Sequence, residues 1–376
     1  MLERSEYKFQ RPILIVTQHE YQKKLEKCLE TRYRSLCENN FHVIGVPEDY
    51  PGTMGSLRYL FHNSYIPKKI NDILIVSGDL LLDFSVLPSF IDNFRVNETG
   101  CSIMAHIGKA STDDMQIFAL NQDRIIQIFE WIDVEDGFKL PVKLLQKFPR
   151  MRLRNNLIQN YCYLFTTSVL ENILEDVRTE NMYKIKEDLI PFLLKRQSAF
   201  NATASIYIVP ENLFSMRVHD IKSYLQVSML CCTPLTGKEK SGQSVKPLPL
   251  VLLSTENTPR NILISYYRAG SGQIPAEFKQ VTNDSIIQED FKIGEKTSIV
   301  KSVIGKNTRI GSKCKITGSI IMDNVIIEDE VNINNSIIGP QVSIGTKCKI
   351  LNSQMAFGST AQPSTVLKED IRLSII

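Results

Sequence analysis

The chain alternates short apolar runs with amphipathic stretches over its first half and then changes rhythm. Ile13-Leu-Ile-Val16 reads as a buried strand, and Tyr21, Leu25, Cys28, Leu29 and Leu36 follow at helical spacing. Phe41 to Val46 predicts a second strand and Thr53 to Phe61 a helix. Asp72-Ile-Leu-Ile-Val76 predicts a third strand, Val86 to Phe94 a helix, and Cys101 to His106 a further strand. Gln116 to Trp131 carries strand signal with little helical period. Alternating strands and helices predict a mostly parallel sheet covered on both faces.

Beyond Lys292 the period is different. Ile293, Ile310, Ile327 and Ile344 recur every seventeen residues, as do Ile299, Ile316, Ile333 and Ile350. Ile304, Ile321, Ile338 and Met355 form a third column, and Ser302, Ser319, Ser336 and Ser353 a fourth. A fixed short period with one aliphatic per segment describes a solenoid whose coils have three flat faces, each sending one side chain inward. Gly294, Gly305, Gly311, Gly339 and Gly345 follow these aliphatics and are expected at corners that need positive φ. Ile286 or Ile287 would mark an incomplete earlier coil, and the residues after Met355 leave the period.

Composition narrows the function classes. Hydrophobic residues make up 43% and charged residues 23% of 376, so an ordinary folded core is expected and global disorder is excluded. The formal charge of +3 gives no footprint of a nucleic-acid binder. No apolar run approaches a membrane span, and Met1 to Gln10 does not read as a secretory signal. The cysteines, among them Cys37 and the pair Cys231-Cys232, form no CxxC motif and predict free thiols in a reducing, cytosolic setting. The five histidines show no metal spacing. None lies between Ile293 and Ile376, which argues against acyl transfer by the repeat.

Two loops carry candidate chemistry. Gly52-Thr-Met-Gly-Ser-Leu57 leads into a helix, and Ser77-Gly-Asp-Leu80 follows the 72–76 strand. In open α/β sheets ligands bind at the carboxyl ends of strands. A glycine there admits a ligand to the backbone, and an aspartate can hold a divalent cation beside phosphates, although a turn or cap is the plainer role for Asp79. Arg150, Arg152 and Arg154 alternate with Met151 and Leu153, behind Lys143 and Lys147. A strand would put the three arginines on one face, either towards an acidic partner or simply towards water. Thr233 to Pro249 reads as a linker, and Leu250-Val-Leu-Leu253 has no evident place.

These residues resemble the nucleotidyltransferases of the sugar-nucleotide pyrophosphorylase type. The Gly-Thr loop matches at Gly52 and Thr53, and the strand ending in the metal-binding Gly-Asp matches at Gly78 and Asp79. The expected fold is therefore α/β, a Rossmann-like nucleotidyltransferase-type sheet followed by a left-handed parallel β-helix of hexapeptide repeats. The family's first strand and glycine-rich triphosphate loop have no counterpart before Gly52. The expectation is a sheet lacking that strand-loop-helix unit, through genuine loss or because the sequence is a shortened form.

Three further segments narrow the resemblance. Pro47 to Leu60, Leu144 to Leu153 and Ile185 to Gln197 are similar to the gamma-type subunits of eukaryotic translation initiation factor 2B. The resemblance implies a non-catalytic subunit of a guanine nucleotide exchange complex. Such a subunit pairs with the epsilon subunit and acts on GDP-bound initiation factor 2, without nucleic acid, membrane or cofactor. Gly52, Thr53, Gly78 and Asp79 would then be vestigial nucleotide-site positions. The alternative is an active sugar-nucleotide pyrophosphorylase. The expected organisation is an incomplete α/β domain over 1–205, a linker and insertion over 206–284, the β-helix over 285–356 and a tail over 357–376.

Overall fold

A computed structural model describes residues 13–32, 41–83, 85–108, 115–130, 142–232, 266–268, 281–282, 285–288, 290–369 and 371–372. Cys37, Thr233–Pro249 and Leu250–Leu253 lie outside the described residues. The chain forms two compact units, Met1–Arg217 and Val218–Ile376. The boundary thus falls inside the stretch expected to be a linker.

The first unit contains β1 (Ile13–Gln18), β2 (Phe41–Val46), β3 (Asp72–Val76), β4 (Leu80–Leu82), β5 (Cys101–Ile107), β6 (Gln116–Asn121), β7 (Arg124–Glu130), β8 (Arg152–Arg154), β9 (Leu157–Thr166), β10 (Ala204–Ile208) and β11 (Ser215–Arg217). Helices at Gly52–His62, Val86–Val96, Thr167–Leu174 and Ile190–Lys195 pack among them. Strands β1 and β2 pair in parallel with each other, from Ile13 opposite Phe41 to Gln18 opposite Val46. The main sheet has the order β3-β9-β5-β10-β7-β6-β8.

That sheet is mixed rather than mostly parallel. Only β5 and β10 pair in parallel, and every other pairing in it is antiparallel. The cause is β9, which inserts antiparallel between β3 and β5 and so separates two strands running the same way. Its hydrophobic faces explain why it can sit there. Cys162, Tyr163, Leu164 and Phe165 are all buried, because helices and loops cover both sides of the sheet. One core gathers Ile103, Phe118, Ile125 and Phe165 with Leu170, Leu189 and Leu193. A second gathers Leu87, Phe90 and Phe94 of the Val86–Val96 helix on Met104 and Leu164.

The second unit is a three-sided parallel solenoid. Its columns are those of the sequence: Ile293 pairs beside Ile310, Ile299 beside Ile316, and Ile304 beside Ile321, each one coil apart. Ile287 stands beside Ile304 and belongs to the earlier coil. The residues after Met355 do not form a tail. Ala361 stacks on Ile344 and Leu367 on Ile350, and the Ile371–Arg372 strand pairs beside Gln354–Met355, which makes a further coil. Alanine and leucine stand at the inward positions in place of isoleucine, which hides the period there.

The corner glycines also differ from expectation. Positive φ at the turns falls on Lys296, Lys313, Glu330 and Lys347, and on Asn307, Asn324 and Asn335. Gly294, Gly305, Gly311, Gly339 and Gly345 serve close approach instead. A Cβ on Gly311 would strike Asp329 and the Glu328 backbone of the next coil, and one on Gly345 would strike Pro363. The coils stack too tightly at these points for any side chain.

Candidate functional site

The Gly52–His62 helix starts at Gly52, whose φ of +71° lies in the left-handed region. Its N-terminus has no side-chain cap from Pro51. The protein's own backbone fills that role. Met54 N–H donates to the Tyr183 carbonyl at 2.9 Å, and the Thr53 hydroxyl accepts the Ile185 N–H at 3.0 Å. Arg58, one turn on, donates to the carbonyls of Met182, at 3.0 Å, and Thr179. The Asp188 carboxylate accepts the N–H groups of Tyr183 and Lys184, each at 2.9 Å. The segment 179–188 is therefore held directly against the glycine-threonine turn.

The Ser77-Gly78-Asp79 loop joins β3 to β4. Ser77 N–H donates to the Tyr161 carbonyl at 3.0 Å, which extends the β3–β9 pairing by one bond. Tyr161 takes a φ of +53° inside β9, a strained setting for an aromatic residue. Strand β11 pairs antiparallel with β4 and sets Arg217 opposite Leu80, beside Asp79. The guanidinium then meets the carboxylate with both arms, Nη2 to Oδ2 at 2.6 Å and Nε to Oδ1 at 3.1 Å. The same guanidinium lies 3.6 Å from the centroid of the Tyr161 ring. Lys186, only 8% exposed, places its ammonium 5.3 Å from that ring.

The electrostatics follow from these contacts. Partial burial acts to raise the Asp79 carboxyl, but hydrogen bonds from Arg217 and Ser77 outweigh it and hold the group below its ordinary value. Burial acts to lower Arg217, and the bonded Asp79 more than reverses that. Asp79 and Arg217 are thus locked as an ion pair with side chains 26% and 19% exposed.

A cleft of about 1040 Å³ connects the two loops. Gly52, Thr53 and Gly78 line it with Ser77, Tyr161 and Lys186. Asp79 does not line it, being turned towards Arg217. All five residues of β3 line the same cleft, as do Ile13, Leu14 and Val16 of β1. Consecutive strand residues point to opposite faces, so this cavity runs along the strand edges.

Arg217, Tyr161, Lys186 and Tyr183 carry no local signal in the sequence. Arg217 is 138 residues from Asp79, and the β4–β11 pairing brings the two together. The arginines of 150–154 divide: Arg152 and Arg154 lie in β8, the edge strand beside β6, and Arg150 precedes it. Cys28, Cys101, Cys162, Cys314 and Cys348 are free thiols. Burial pushes the thiols of Cys101 and Cys162 far above their ordinary value, which leaves them inert. No helix among the described residues is long and apolar enough to cross a membrane.

An α/β unit with a mixed sheet, followed by a three-sided parallel solenoid, defines the class: an α/β domain joined to a left-handed β-helix. The family profile of the EIF2B subunit epsilon LbH domain matches residues 266–366. Translation initiation factor eIF2B subunit gamma of Dictyostelium discoideum is 24% identical over 349 residues, which cover 81% of this chain and 73% of that protein. Together these similarities support an eIF2B-type subunit with a left-handed β-helix.

Proposed function

We propose that the chain is a non-catalytic, gamma-type subunit of the initiation factor 2B exchange complex. The observation that carries this reading is the similarity to the Dictyostelium gamma subunit, which extends over 81% of the chain. The chain pairs with the epsilon subunit and with the other subunits of the complex in the cytosol. It promotes GDP release from initiation factor 2 through contacts that differ between bound and released states. Gly52, Thr53, Gly78 and Asp79 are vestigial nucleotide-site positions in this reading. The hydrogen bonds that Met54, Thr53 and Asp79 already make within the chain support that description.

Affinity purification of the chain from its own cells tests the proposal. Recovery of epsilon and of initiation factor 2 subunits is expected. Recovery of copies of the chain alone, with pyrophosphate exchange on a nucleoside triphosphate and a sugar phosphate, would return the pyrophosphorylase reading.

A further inference from the structure

The nucleotidyltransferase resemblance assigns Asp79 to a divalent cation, and the residues around it do not fit one. Magnesium and calcium need several oxygen ligands with free lone pairs at short range. Asp79 gives one oxygen to Arg217 Nη2 and the other to Arg217 Nε and the Ser77 hydroxyl. Among the described residues no group of three or more His, Cys, Asp or Glu could hold a metal ion. The place beside the carboxylate already contains a positive charge.

We infer that Arg217 is the built-in counter-cation of the Gly78-Asp79 loop and stands where a metal ion would bind. The chemistry suits a permanent occupant. A guanidinium stays charged, meets a carboxylate with two parallel donors and stacks on an aromatic face. Here it does all three, with Tyr161 beneath it. Unlike a metal ion, it is tethered, so its occupancy does not follow the concentration of anything in solution. Arg217 is also the last residue of the first unit, so the pair fixes that unit's terminal strand to the carboxyl end of β3. The inference concerns the site named above but does not depend on membership in any complex.

The test uses the purified full chain, its thermal unfolding and direct binding of Mn2+. Millimolar Mg2+ or Mn2+ is expected to leave the wild-type Tm unchanged, with no stoichiometric Mn2+ bound. Arg217→Gln and Asp79→Asn should each lower the Tm, and the double variant should lose no more than the worse single one. Arg217→Lys should recover only part of the loss. One Mn2+ bound per wild-type chain and abolished by Asp79→Asn would overturn the inference, as would strictly additive losses. If the variants do not fold, the wild-type Mn2+ titration decides alone. Failure of the exchange-complex reading would leave each of these results as it is.

Discussion

The Ser319 hydroxyl accepts the backbone N–H of Ser336 at 3.2 Å while donating to the Thr317 carbonyl at 2.8 Å. Ser302 does the same for Ser319, and Ser336 for Ser353. The serine column is a continuous polar ladder, fully buried, that satisfies one backbone donor per coil at a corner where strand pairing breaks. Serine fits because it is small and carries both a donor and an acceptor. Ser319→Ala removes both and strands the Ser336 N–H in a dry interior. The expected loss is about 1–3 kcal/mol of stability, read from denaturant unfolding of the full chain.

Inward and outward positions of one coil should respond oppositely. Ile316 is fully buried in its column, whereas Ile326 is 48% exposed. Ile316→Ala leaves a cavity between Ile299 and Ile333 and is expected to cost about 2–5 kcal/mol. Ile326→Ala should stay within about 0.5 kcal/mol. Equal losses at the two positions would contradict the three-sided packing.

Gly52, at the start of its helix, and Gly78, in the β3–β4 loop, should also separate. Gly52 combines positive φ with a Cβ position that collides with the Tyr183 carbonyl. Gly52→Ala is expected to cost more than about 1–2 kcal/mol, because backbone conformation and the helix–loop contact both suffer. Gly78 has open space around its Cβ position. Gly78→Ala should unfold within a degree or two of wild type. Thermal unfolding of both variants, side by side, distinguishes a glycine held for structure from one that structure does not require.

What could be read from the chain, and what could not, divides along sequence distance. Strands at Phe41–Val46 and Asp72–Val76 were legible because each is a short apolar run bounded by breakers. The β-helix was legible because one column residue predicts the next, seventeen positions on. The last coil escaped because Ala361 and Leu367 fill inward positions without repeating isoleucine. The role of the corner glycines is not legible, since a one-dimensional pattern shows a turn but not the neighbouring coil that presses on it. Sheet polarity is not legible because nothing local in Leu157–Thr166 says that it enters between β3 and β5. At the candidate site Gly78 and Asp79 are legible as a loop after β3, whereas Gly52 and Thr53 open the Gly52–His62 helix rather than a loop that precedes it. Their partners Tyr183, Ile185 and Arg217 come from remote segments through helix and strand contacts.

Acid sensitivity should trace in part to His106. The ring is largely enclosed beside β9, with Nδ1 hydrogen-bonded to Asn160 Oδ1, and Asn160 in turn donates to the Ser215 hydroxyl at 2.6 Å. Since Asn160 spends its amide N–H on Ser215, its oxygen faces His106, and Nδ1 carries the proton of a neutral imidazole. Burial lowers the His106 pKa, and the bond to Asn160 only partly opposes it. The folded state therefore binds this proton more weakly than the unfolded chain, whose histidine titrates near 6.5. Between the lowered value and about 6.5 the unfolded state holds more protons, so stability rises with pH there and is level above it. The full chain should lose stability as pH falls below about 6.5, and His106→Gln, which keeps a hydrogen-bonding group but cannot titrate, should reduce that slope. Unfolding midpoints of the two proteins across this range provide the measurement; parallel curves would assign the acid response to other groups.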